Sequence, residues 1–232
     1  HFDDWANAFA EVVNGIEVDA SGSKWKGVAR FSKFVNIPEL LTMLREVWDI
    51  QTADMLEKAG ILVKGKNLPL IKGGKPTALI LQPSAELKEY IQVLGVRADK
   101  IKGKRAQKGG DNMLVILHDG IMASTDMRLI DPNLLPDPNS KIETAVREIY
   151  DRWEKYKKDK STQVVFINRT KPDEQAAFNP QWYIKRKLLE MGIPEEEIAF
   201  IHDFDSMEEK DDLYAKVNNG DVRVIFGSTE KL

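Results

Sequence analysis

The stretch VRVIFGST, residues 222–229, decides the fold of this chain. Its first five residues are apolar apart from Arg223, which is the composition of a strand buried in a sheet. Gly227, Ser228 and Thr229 interrupt the apolar run, so we expect a loop at the carboxyl end of this strand. In α/β proteins, ligands usually bind at the carboxyl ends of parallel strands. The stretch therefore predicts a buried strand followed by one part of a binding site.

A regular alternation of helices and strands precedes this stretch from residue 140 onward. Two further apolar runs, residues 163–168 and 198–202, predict buried strands. The helices between them are indicated by capping boxes, by stop signals and by one apolar stripe. These signals are Ser140 with Glu143, the stripe Ile142, Val146, Ile149, Trp153 and Tyr156, Gly192 and Pro194 after a helix at 180–191, Ser206 with Glu209, and Gly220. This alternation predicts an α/β fold, a parallel sheet with helices on both faces.

The sequence predicts two domains: a mainly helical segment, residues 1–75, and the α/β domain, residues 76–232. Apolar residues at helical spacing predict one amphipathic helix over residues 36–57, with Asn36 as its cap. The other predicted elements are a helix at 2–13, connections at 58–76 and 126–139, strands at 77–82 and 113–117, and a helix that begins after Ser84. We expect some of the early strands to pair at the edge of the sheet.

The composition excludes several classes of function. None of the 232 residues is cysteine, which rules out disulfides, cysteine-bound zinc and thiol nucleophiles. The formal net charge of -3 gives no overall basic field, so any nucleic-acid contact depends on local patches. No apolar run reaches the roughly 20 residues of a membrane helix, and we see no signal peptide. We therefore expect a cytoplasmic location and no membrane partner.

Three predicted strands end in polar residues that parallel strands would place at one edge. These ends are Asn168-Arg169-Thr170, His202-Asp203-Phe204-Asp205 and Gly227-Ser228-Thr229. Their hydroxyl and amide groups could hold phosphates or a nucleic-acid backbone. The alternative is structural, because the same residue types form turns and cap helices.

A second hypothesis for the middle group is metal binding or acid–base chemistry. His202, Asp203 and Asp205 provide an imidazole and two carboxylates, which are ligand types for metal ions. No spaced motif such as H-E-x-x-H supports this hypothesis, so we do not expect a metal site. The sequence also has no phosphate-loop, dinucleotide-binding or nucleophile-elbow motif.

Two basic stretches are candidate contacts for nucleic acid. The first, RADKIKGKRAQKGG at 97–110, could neutralise backbone phosphates or could be a solvated surface loop. Its basic residues are Arg97, Lys100, Lys102, Lys104, Arg105 and Lys108. The second, KWKGVARFSKF at 24–34, alternates basic and aromatic residues, a pattern that can hold single strands by stacking and charge. For Phe31 and Phe34 we favour a role in the core.

Seven long stretches together resemble superfamily 2 helicases, and most closely the chromatin-remodeller-like, DNA-translocating branch. The second RecA-like lobe of that family is similar to SKIETAVREIYDRW (140–153), TQVVFIN (162–168), IPEEEIAFIHDFD (193–205) and VRVIFGSTEKL (222–232). Large helicase-methylase proteins of bacterial phages and mobile elements are similar to HFDDWANAF (1–9), RFSKFVNIPELLTMLREVWDIQTADML (30–56) and KPTALILQPSAELKEYI (75–91). The resemblance covers nearly the whole chain.

The resemblance implies a DNA-dependent ATPase whose second lobe lies within this chain. Asn168 and Arg169 match the end of motif IV, near the tracked DNA strand. Gly227, Ser228 and Thr229 match the start of motif V, between the DNA backbone and the nucleotide cleft. The chain lacks the rest of motif V, the motif VI arginine and the first lobe. The resemblance therefore implies DNA and the first lobe as partners, and ATP with Mg²⁺ as cofactors of the intact protein only.

Two alternatives to a motor protein follow from the same residues. A RecA-like module without catalysis could serve to dock protein partners. A small-molecule enzyme could be built around His202, Asp203 and Asp205. Because catalysis of phosphoryl transfer needs charged groups from both lobes, we expect the 232-residue chain alone to be inactive.

Overall fold

In the computed structural model, which describes residues 2–18, 25–66, 69–102 and 110–231, the chain forms two units. The first comprises residues 1–80 and the second residues 81–232. The boundary that we predicted after residue 75 falls inside the first unit. No helix in the described ranges has the length and apolar character needed to cross a membrane.

The second unit contains a parallel sheet whose central strand is the predicted one. Its strands are β3 (Gln163–Phe166), β4 (Ile198–Phe200) and β5 (Val224–Gly227), and their order across the sheet is β3-β5-β4. The first residues of all three strands, Gln163, Ile198 and Val224, are aligned. Every residue of β5 is buried, because β5 has a neighbouring strand on each side and helices above and below. The α/β fold with a parallel sheet is therefore confirmed.

Helices cover both faces of this sheet. They are α6 (Lys141–Lys155), α7 (Pro180–Glu190) and α8 (Met207–Asn219). Val224 and Phe226 of β5 pack into a core cluster with residues of α6 and α7, whereas Ile225 packs with Leu213 of α8. The crossover from β3 to β4 and the return from β4 to β5 run in opposite directions. Right-handed connections therefore place α7 and α8 on opposite faces.

Local signals set the ends of these helices, with one difference from the prediction. Ser206 and Glu209 form the complete predicted capping box at the start of α8. At the start of α6, Ser140 accepts the hydrogen bond from the Glu143 amide, but the Glu143 side chain does not bond back. It contacts Tyr183 instead, so α6 begins with half of the predicted box.

Two of the predicted buried strands are shorter or more exposed than expected. β3 lies at the edge of the described sheet, and its Val164 and Phe166 side chains are 50% and 53% exposed. These two residues share one face, because side chains alternate along a strand. β4 ends at Phe200, and His202 lies in a short 3-10 helix that follows.

A buried arginine, Arg128, joins the connection at 126–139 to α6 and α7. Arg128 is 4% exposed and donates to both carboxylate oxygens of Asp126 at 2.8 Å and to Glu143 at 3.2 Å. Its guanidinium lies 4.3 Å from the ring centre of Phe178 and 4.2 Å from that of Tyr183. Burial and then the hydrogen bond to Glu143 raise the pKa of Tyr183. The Arg128 guanidinium therefore pairs with both carboxylates of this cluster, Asp126 and Glu143.

The prediction of a strand at 113–117 is wrong, because these residues begin a helix. α4 (Ala85–Ile101) and α5 (Met113–Thr125) form a pair whose buried contact includes Leu94, Ala98 and Ile116. Asn112 caps α5 by accepting from the amides of Leu114 and Val115. An apolar run of five residues suits a strand or a helix equally, and here the cap selects the helix.

The first unit contains two strands in addition to helices. Its elements are α1 (Phe2–Phe9), β1 (Ala10–Val18), β2 (Trp25–Phe34), α2 (Ile37–Arg45) and α3 (Ala53–Lys58). β1 and β2 form an antiparallel two-stranded sheet of their own and do not extend the parallel sheet. The predicted helix at 2–13 thus ends at Phe9, and residues 77–82 form no strand.

The predicted single helix over 36–57 is broken into α2 and α3. Thr52 accepts a hydrogen bond from the Met55 amide and so starts a new helix. Asn36 precedes α2 in a left-handed conformation with a φ of 51°, and its side chain makes no cap. The side-chain amide of Asn36 instead donates to the carbonyl oxygen of Ala8 at 2.6 Å, which fixes the start of α2 against α1.

Candidate functional site

The carboxyl edge of the parallel sheet joins two of the predicted site segments. The Oδ1 atom of Asn168 accepts from the Thr229 amide at 3.0 Å and from the Thr229 hydroxyl at 3.3 Å. The pairing of β3 with β5 extends up to this contact, because the Ile167 backbone amide donates to the Gly227 carbonyl at 2.9 Å. The loops after β3 and β5 are therefore held side by side.

Exposure differs among the residues of these two loops. Gly227 is buried, Ser228 is half-buried, and Thr229, Asn168 and Arg169 are exposed. The Ser228 carbonyl accepts from the Lys231 amide at 3.0 Å, so the loop after β5 closes into a turn. The edge consequently presents the side-chain amide of Asn168 and the guanidinium of Arg169 to solvent, and both can donate to phosphate oxygens.

The third predicted segment lies at the end of β4, on the far side of β5. Within it, the Asp205 backbone amide donates to the Glu209 carboxylate of the α8 capping box at 3.0 Å. Across the described ranges, no three histidine, aspartate or glutamate side chains are placed to hold a metal ion. His202, Asp203 and Asp205 are therefore not grouped as the ligands of a metal ion would be.

Three buried polar atoms at this edge lack a hydrogen-bond partner among the described residues. They are Thr170 Oγ1, Gln181 Oε1 and His202 Nδ1. Thr170 and Gln181 are neighbours, because the side-chain amide of Gln181 donates to the backbone carbonyl of Thr170 at 2.6 Å. Buried polar groups without partners are rare in folded proteins and call for a water or a ligand. The edge therefore has buried polar atoms that could hydrogen-bond to a water or a ligand, in addition to its exposed donors.

Lysine residues surround His202 and affect its protonation. Burial lowers the pKa of the His202 imidazole, and the positive charges of Lys231 and then Lys171 lower it further. Asp203 acts in the opposite direction. We had not identified Lys171, Lys231 or Gln181 from the sequence. The Asn179-Pro180 pair marks a helix start, but the position of Gln181 beside the sheet edge depends on tertiary packing.

The basic stretch at 97–110 is only in part the loop that we predicted. Arg97 and Lys100 belong to α4, and Lys102 follows its last residue. Arg97 donates to both carboxylate oxygens of Asp111 at 2.6 and 2.8 Å and to Asp119 at 2.8 Å. Arg97 thus joins α4 to α5 and is not a candidate for a DNA contact. Lys100 and Lys102 are exposed, whereas Lys104, Arg105 and Lys108 lie outside the described residues.

The alternating stretch at 24–34 forms β2, which separates its two residue types. Trp25 and Phe31 lie on one face of the strand, and Lys26 and Arg30 lie on the other. Arg30 also pairs with Glu17 across the hairpin. Stacking and charge therefore act on opposite faces, which does not favour a grip on single-stranded nucleic acid.

The predicted core role of Phe31 and Phe34 is only partly correct. Their rings meet edge to face with centres 5.1 Å apart, and each lies 6.3 Å from the ring of Trp5. The two side chains nevertheless remain 47% and 52% exposed. They belong to a small aromatic cluster at the surface of the first unit.

Comparisons of the chain with protein-family models, with curated proteins and with solved structures find no match. A functional proposal for this chain must therefore be based on the geometry of the sheet edge and on the motifs quoted above.

Proposed function

We propose that residues 81–232 are the second lobe of a DNA-translocating ATPase and that the carboxyl edge of their sheet contacts the DNA backbone. The observation that carries the proposal is the pair of hydrogen bonds from Thr229 to Asn168. These bonds join the two segments that resemble motif IV and motif V. In the resembled family, the same two motifs lie beside the DNA.

The chemistry of the edge supports a phosphate backbone as the ligand. Lys171 and Lys231 supply positive charge there, and both are exposed. Arg169 adds a third exposed basic side chain, and the Ser228 hydroxyl can donate to phosphate oxygens. Contacts of this kind give affinity without base specificity, which is what an enzyme moving along DNA requires.

The same residues do not fit a complete site for ATP and Mg²⁺. The 232 residues contain no phosphate loop. The described ranges contain no three-residue group that could hold a metal ion. In our proposal the nucleotide therefore binds in a longer bacterial protein, between this lobe and a first lobe. The residues of this chain position the DNA backbone.

Titration of a fluorescent DNA duplex with the chain, followed by anisotropy, tests the proposal. The variant carrying Lys171→Gln and Lys231→Gln should bind more weakly. Its logarithmic salt dependence should be flatter by about one unit per lysine, because fewer counterions are released. The matched control replaces two exposed lysines elsewhere, Lys88→Gln and Lys158→Gln, and should change neither quantity. Equal affinity and salt dependence in both double variants would show that the edge does not bind DNA.

A further inference from the structure

A groove beside α7 has a composition that the DNA-binding proposal does not use. Its volume is about 320 Å³, and it lies between the N-terminal part of α7 and the loop before it. The rings of Phe178, Trp182 and Tyr183 line it, together with Leu189. Trp182 and Leu189 are seven residues apart and so share one face of the helix. This size is at the low end of ligand pockets, which begin at about 300 Å³.

The aromatic rings of this groove already attract cations from the chain itself. The Lys185 ammonium lies 5.0 Å from the ring centre of Trp182. The Arg186 guanidinium lies 5.7 Å from that of Tyr183. Arg186 is exposed and also lines the groove. Ring faces with a cation within about 6 Å are attracted to it through their quadrupole. Arg128 also lies 4.3 Å from the ring centre of Phe178 and 4.2 Å from that of Tyr183. All three lining rings therefore already contact positive charge.

The rim of the groove is acidic. Asp173, Glu174 and Glu195 line it, against the single basic residue Arg186, in the described part of the chain. Glu195 is paired with Lys185 at 3.0 Å. Asp173 and Glu174 are exposed, and neither forms an ion pair with a described residue. Two carboxylates therefore remain to attract a cation that enters from solvent.

We infer that this groove binds a lysine or arginine side chain of a basic protein segment. The rings supply the apolar and quadrupolar surface, and Asp173 with Glu174 supply the opposite charge. A DNA backbone does not fit the same groove, because its phosphates would meet the acidic rim. The inference goes beyond the proposed contact with DNA and does not depend on it.

Titration of the ¹⁵N-labelled chain with an acetylated hexalysine peptide, followed by NMR, tests this inference. The indole resonance of Trp182, assigned with the Trp182→Phe variant, should shift as the peptide binds. The variant carrying Asp173→Asn and Glu174→Gln should weaken binding roughly three- to tenfold, because it removes two exposed charge pairs. The Arg186→Gln variant should tighten binding, because it removes the basic residue that lines the groove and that is one of the cations near the Tyr183 ring.

The matched control replaces an exposed aspartate and glutamate on α6, with Asp151→Asn and Glu154→Gln. This control should leave the affinity for hexalysine unchanged. An equal loss of affinity in the control would mean that the peptide only follows net charge, and the inference would be wrong. An indole resonance that stays still with hexalysine, or that shifts with a short DNA duplex instead, would also overturn it.

Discussion

Gly220, which ends α8, occupies a space that no larger residue fits. A Cβ atom at this position would lie 2.6 Å from the Cβ and 2.7 Å from the carbonyl oxygen of Lys160. The φ of Gly220 is +73°, a conformation that costs other residues about 1–2 kcal/mol. Lys160 itself has a φ of 48°, in the left-handed region. The close contact joins the end of α8 to the segment that enters β3.

Replacement of this glycine should therefore destabilise the second unit strongly. We expect Gly220→Ala to lower the free energy of unfolding by about 2–4 kcal/mol, from backbone strain and overpacking together. Gly192→Ala is the matched control, because its φ is +98° but no atom lies within 4 Å of the added Cβ. It should cost only the strain, about 1–2 kcal/mol. Urea denaturation would measure both losses, and equal losses would refute a steric role for Lys160.

Among the elements, α6 and α7 are held to the preceding connection by the buried Arg128. Arg128→Met would leave the buried Asp126 and the half-buried Glu143 without their cation. Such uncompensated charges typically cost about 3–5 kcal/mol. We therefore expect Arg128→Met to lower the free energy of unfolding by that amount in urea. The control, Arg152→Met, removes an exposed pair with Glu148 on the same helix and should cost less than about 1 kcal/mol. A similar small loss in both variants would mean that the cluster is not a structural link.

Elements with end signals were predictable from the sequence, and elements without them were not. Ser206, Gly220 and Gly192 mark helix ends that depend only on local bonds, and the predicted helices α7 and α8 are confirmed. The apolar run at 113–117 does not by itself distinguish a helix from a strand, and only the cap at Asn112 indicates a helix. Residues 77–82 have the composition of a strand, but a strand also needs a neighbour. Whether a distant strand pairs with it cannot be predicted from a short stretch of sequence.

The candidate site was predictable to the extent that the sheet topology determines it. Once β3 and β5 are parallel, Asn168 and Thr229 must lie at one edge, and their contact follows. The participation of Lys171 and Gln181 could not be predicted. It depends on how the loop after β3 turns back toward α7, which is set by tertiary packing and not by spacing. Tertiary packing also explains why the sequence did not reveal the ion pairs of Arg97, because its acceptors lie 14 and 22 residues further along the chain.

For the whole molecule, the proposal separates DNA binding from ATP hydrolysis. We expect the 232-residue chain to release no phosphate from ATP above a mock preparation, with or without DNA. The reason is chemical, because γ-phosphate transfer requires a metal ion, and the described residues contain no group that could hold one. A phosphate-release assay would check this. Hydrolysis that follows the chain through successive chromatography steps would contradict the proposal.

The position of β5 in the sheet has a consequence for how the chain is made. Among the described residues, β3 and β4 each pair only with β5, which follows both in sequence. During synthesis, the two earlier strands must wait until residues 224–227 have left the ribosome. Until then their apolar side chains have no partner strand, and such unpaired edges are prone to aggregate. The nascent chain should therefore remain sensitive to protease until β5 emerges.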